Sequence, residues 1–144
     1  MTRIDFHTNV PDKIAYACRL VRKAYAAHHK IVLLTEDAEQ LAALDAALWT
    51  FSELDFLPHV AAGDALAPQT PIILTDNGQA ELAHFDILIN LSSEIPAHAA
   101  RFQRVFEIVS SNLADAAAGR QRYASYKQQA YQPTHFVAGQ PANK

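Results

Sequence analysis

The residues with the most chemical capacity at close spacing lie near the C-terminal end of this 144-residue chain. Arg120, Tyr123 and Lys127 stand at i, i+3 and i+7, a spacing that shares one helical face. Arg122 and Tyr126 share another. No acidic residue occurs from Ala116 to Asn143. Guanidinium forks beside an aromatic wall suit a carboxylate-rich peptide that carries an apolar anchor. The same composition also fits an ordinary solvated helix face. Gly119 interrupts the segment at a cost of about 1 kcal/mol relative to alanine, and its missing side chain leaves room for a ligand to approach.

A second cluster surrounds the only tryptophan, Trp49, with Phe51 and Phe56 close by in sequence. Leu44, Leu48 and Leu57 read as core. Trp49 and Phe56 read either as core or as an exposed apolar patch that marks a protein partner.

Catalytic patterns are missing. The first strand–helix turn, Thr8-Asn9-Val10-Pro11-Asp12, has no glycine, so it lacks the loop that lets a backbone approach pyrophosphate. The four glycines, at 63, 78, 119 and 139, are all far apart, which also excludes a Walker-type loop. None of the seven histidines forms an HxH or HxxxH pair, and Cys18 has no second thiol, so no metal site or cofactor is expected. Ser92-Ser93-Glu94 lacks a glycine elbow and reads as a cap for a short helix after Pro96. No enzymatic activity is expected; the alternative is a nucleotide- or nucleic-acid-dependent enzyme of unrecognised chemistry.

Alternating elements position these residues. Strands are expected at Arg3–His7, Lys30–Thr35, Pro71–Thr75, Ile87–Leu91 and Arg104–Val109, with a weak or edge strand at Phe56–His59. Helices are expected from Lys13 to His29, from Glu36 to about Trp49, and from Asn112 to Gln129. This order predicts an α/β domain, Rossmann-like and three-layered, with a largely parallel sheet and no nucleotide-binding glycine loop. Residues 1–131 are expected to form a single domain, and 132–144 a flexible C-terminal tail. Half of the residues are hydrophobic, enough for a substantial core. No apolar run approaches bilayer length, no leader is evident, and a lone cysteine suits a reducing compartment. A cytoplasmic protein without membrane association is expected.

Charge is segregated. Residues 1–30 carry +4, 31–100 carry −11 with no Lys or Arg, and 101–144 carry +4. An acidic middle disfavours direct DNA contact. The basic ends are expected to converge, with the first helix beside the last, into a site for an acidic partner.

Four segments in register carry a family resemblance. They are Leu44-Asp45-Ala46-Ala47-Leu48-Trp49, the run from Phe56 to Gly63, the run from Asp86 to Leu91, and the run from Arg120 to Lys127. Together they resemble the chi subunit of bacterial DNA polymerase III, from near the N-terminus to about Lys127. The resemblance implies a Rossmann-like fold without nucleotide binding, and a non-catalytic adaptor in the clamp-loader assembly during DNA replication. It implies binding of the acidic C-terminal tail of single-stranded-DNA-binding protein, which ends in phenylalanine. The tail site carries over to Arg120 and Tyr123, with Arg122 and Lys127, or helix-one residues such as Arg19 and Lys23, as aids. It also implies a psi-like clamp-loader subunit at Trp49 and Phe56, a surface that some members use for a repair-type helicase. Family members carry lysine where this chain has Ala116 and Ala124.

Overall fold

In chain order the elements are β1 (Arg3–Val10), α1 (Lys13–Ala26), β2 (Ile31–Leu34), α2 (Ala38–Thr50), β3 (His59–Ala61), β4 (Ile72–Thr75), β5 (Ile87–Asn90), β6 (Arg104–Ser110), α3 (Leu113–Gln128) and β7 (Thr134–Val137). They come from a computed structural model that describes residues 2–50 and 56–139. The seven strands form one sheet in the order β3-β4-β2-β5-β6-β1-β7, and every pairing is parallel. Every residue of β2, β4 and β5 is buried, as expected of central strands covered on both faces.

Alternation along the strands supplies two cores. On one face Ile31, Leu33, Phe106 and Ile108 meet Ala17, Cys18 and Val21 of α1 and Leu44 and Leu48 of α2. On the other, Ile4, Phe6, Val105 and Val109 meet Tyr126 and Tyr123 of α3, and connecting segments supply Ala67, Ala99 and Phe102. This is the three-layer α/β fold that the sequence predicts. Helix α1 therefore lies across the sheet from α3, not beside it, which corrects the expected convergence of the basic ends on one face. The two helices are joined at their N-terminal ends, where Lys13 Nζ lies 3.2 Å from Asp115 Oδ2. Burial pushes the Asp115 carboxyl up, but the Ser110 amide and the Lys13 ammonium outweigh it and hold it below its ordinary range.

Local signals set the helix ends. Asp12 caps α1 by accepting from Ala15 N, and Asn112 caps α3 by accepting from Asp115 N. Both helices end without glycine. His28 (φ 69°) and Ala130 (φ 74°) occupy the left-handed position after the C-cap. The turn after α3 sends the chain back along the sheet edge as β7, in a segment where the sequence suggested a flexible tail. Thr134 Oγ1 donates to Asp5 Oδ1, and Ala138 N–H donates to Thr8 O at 2.8 Å. Strand β7 belongs to the sheet, so the fold extends beyond residue 131.

Candidate functional site

Phe6 and Thr8 of β1, Val109 and Ser110 of β6, and His135 of β7 form the floor of a cavity of about 690 Å³. One side of α3 forms its wall, through Ala116, Gly119, Arg120, Tyr123, Ala124 and Lys127. The i, i+3, i+7 spacing read from the sequence thus brings Arg120, Tyr123 and Lys127 to one cavity. Arg120 and Lys127 are exposed, while Tyr123 is half-buried. The Tyr123 ring packs edge-on against Phe6 at 5.1 Å between centroids, and its hydroxyl donates to Pro133 O at 3.2 Å. Lys127 Nζ lies 5.9 Å from the same ring centre. An aromatic wall therefore stands between two exposed cations, and among the described residues no acidic one lines the cavity. Ala116 and Ala124 leave Arg120 and Lys127 as its cations.

Arg122 is not part of this cavity. It is only 3% exposed, on the side of α3 that it shares with Tyr126, as its spacing predicts, and its burial corrects its expected part in the tail site. There its Nε donates to Glu107 Oε1 at 2.9 Å and its Nη1 to Ser93 O at 3.1 Å. Tyr126 donates to Glu107 Oε2 at 2.7 Å, and Asn90 Nδ2 donates to Glu107 Oε1 at 2.9 Å. Burial raises the Glu107 carboxyl against the pull of Arg122 and of these donors. The network docks α3 onto β5 and β6 and so fixes which side of the helix faces the cavity. Sequence reading missed it. The signal was available: Glu107 is an acid inside the apolar strand Val105-Phe106-Glu107-Ile108-Val109, and a buried carboxylate requires a partner.

Gly119 also departs from expectation. A Cβ there would come within 2.8 and 2.9 Å of the Val109 methyls, so this glycine serves close helix–sheet packing rather than ligand approach. Arg19 and Lys23 lie on α1 across the sheet and cannot reach the α3 cavity. Ser92 and Ser93 cap no helix: Ser92 Oγ donates to Asn90 Oδ1 at 2.7 Å, and Ser93 N donates to Glu36 Oε1 at 2.7 Å.

Trp49 and Phe56 form a separate surface at the end of α2. They are 55% and 65% exposed, with ring centroids 5.7 Å apart. The Trp49 ring rests at 4.6 Å on His59, whose buried Nδ1 faces Leu57 O at 2.5 Å. Two adjacent exposed aromatic rings, one of them seated on a buried imidazole, form a preformed apolar anchor surface. Phe51 lies outside the described residues. Among the described residues no group of His, Cys, Asp and Glu could hold a metal, and no helix is long and apolar enough to cross a membrane.

Comparison with known proteins places the chain in a family. Residues 1–134 match the family model described as DNA polymerase III chi subunit, HolC. A similar chain is the DNA polymerase III subunit chi of Pseudomonas aeruginosa, 35% identical over 137 residues that span 91% of this chain and 93% of that one. The subunit chi of Haemophilus influenzae is 30% identical over 115 residues, covering 80% of each chain. That of Escherichia coli is 26% identical over 110 residues, covering 76% of this chain and 75% of its own.

Proposed function

The chain belongs to the DNA polymerase III chi-subunit family, and from that premise we propose that it is a non-catalytic adaptor of the clamp-loader assembly, acting in the cytoplasm. Its α3 cavity holds the acidic C-terminal tail of single-stranded-DNA-binding protein. Arg120 pairs with the terminal carboxylate or an adjacent acid, Lys127 adds a second cation, and Tyr123 walls the pocket for the last phenylalanine. The Trp49–Phe56 surface takes a psi-like subunit, and the same rings are available to a repair-type helicase. The observation that carries this reading is an apolar cavity whose charged lining residues, among those described, are Arg120 and Lys127.

A charge-assisted hydrogen bond is worth about 1.5–3 kcal/mol. Arg120→Ala should therefore weaken tail-peptide binding by about tenfold to a hundredfold. Higher salt should weaken binding to the wild type more than to the variant, because part of the attraction is screened. The check is a titration of a labelled tail peptide into both proteins at low and high salt, with melting curves to establish folding. Equal affinities would remove Arg120 from the site. Failure of the wild type to bind would remove the tail assignment.

A further inference from the structure

Strand β7 is an edge strand, and no described strand pairs with its outer side. Because Ala138 N–H points inward to Thr8 O, strand alternation turns the amide and carbonyl groups of His135 and Val137 outward. Side chains alternate across the same strand. His135 enters the α3 cavity, whereas Phe136 enters a different cavity of about 820 Å³ on the α1 face. Arg19, Lys23, Tyr16 and His7 line that second cavity with Phe136. The Arg19 guanidinium lies 5.4 Å from the centre of the Tyr16 ring, and Phe136 is 43% exposed. Among the described residues, no acidic one lines either cavity.

We propose that the free edge of β7 accepts an added strand from an extended acidic peptide, whose alternate side chains enter the two basic cavities. The proposal rests on the reading of the α3 cavity as an acidic-tail site. It gives the acids upstream of the terminal phenylalanine a place on this chain. Main-chain hydrogen bonds to His135 and Val137 hold such a strand. Residues one apart in the peptide then face opposite helices, Arg120 and Lys127 on one side and Arg19 and Lys23 on the other. Backbone chemistry favours a peptide over a nucleic acid. The outward carbonyls need donors, which a peptide supplies in register and a phosphodiester chain lacks.

The test uses a long peptide, whose acidic residues lead to a terminal phenylalanine, and a short one that keeps only its end. Amide exchange is followed by NMR on the full chain. The long peptide should slow exchange at His135 and Val137 by about tenfold or more, and the short one should not. Exposed charges on α1 can be reversed without touching the core. Arg19→Glu combined with Lys23→Glu should weaken the long peptide about tenfold and leave the short peptide unchanged. A long peptide that binds normally while both edge amides exchange freely overturns the strand pairing but leaves the α3 reading intact. If neither peptide binds, the α3 reading falls as well. An oligothymidine that binds the wild type, loses affinity in the double variant and protects neither amide would give the α1 cavity to nucleic acid, and would overturn the proposal.

Discussion

Arg122 neutralises Glu107 inside the protein, while Arg120, two residues earlier, faces solvent. Removing one partner of a buried ion pair strands the other charge, at a cost of about 3–5 kcal/mol. Arg122→Ala should lose that much unfolding free energy in a urea titration, whereas Arg120→Ala should change it by less than about 0.5 kcal/mol. Similar losses for both would contradict the two orientations. Spacing made Arg120, Tyr123 and Lys127 legible as one face. It did not reveal which face turns inward, because α3 is rich in alanine and polar residues and has no apolar stripe to orient it. His7 adds a pH effect. Burial lowers its pKa from 6.5 to about 4, with Asp5 opposing and Arg104 and Lys23 assisting. The folded state thus holds a neutral imidazole that the unfolded chain would protonate. Its contribution to stability is full above pH 6.5 and is lost as pH falls towards 4. A His7→Gln variant should show a flatter decline in melting temperature across that window. A decline as steep as that of the wild type would assign it to other groups.

Among the elements, α1 and α3 both end in the same turn with a residue suited to neither. After α3, Ala130 N donates to Lys127 O and Tyr131 N to Tyr126 O, both at 3.1 Å, and the Tyr131 ring packs on Tyr126 at 5.7 Å. This paired turn places Ala130 at φ 74°, where a β-carbon costs about 1 kcal/mol relative to glycine. Ala130→Gly should therefore raise unfolding free energy by about that amount, and an unchanged or lower midpoint would argue against the turn. The central strands were legible because β-branched runs bounded by turn residues admit few other readings. The end of α3 was legible to within a residue. What followed it was not. Thr134-His135-Phe136-Val137 is short, lies between Pro133 and Gly139, and finds its partner in Asp5 to Thr8, which local pattern cannot disclose. Segregated charge predicted that the first helix lies beside the last in one basic region, and that expectation failed: α1 and α3 pack on opposite faces of the sheet, which charge pattern along the chain cannot disclose.

For the whole molecule, β7 is the last strand and covers one side of β1. A chain ending at residue 131 should lose that cover, expose β1 as a new edge, melt at lower temperature and aggregate more readily. A truncated chain that melts like the full one would show β7 to be dispensable. The position of β1 has a further effect, on synthesis. The first strand made pairs only with β6 and β7, so Arg3 waits for Arg104, and Asp5 for Thr134. At ordinary translation rates of about 5–20 residues per second, Ile4 and Phe6 remain without partner strands for several seconds or longer. The sheet cannot close from its N-terminal end as the chain emerges. It must assemble from the middle outward, with β2, β4 and β5 available first, and it is completed only when β7 has emerged.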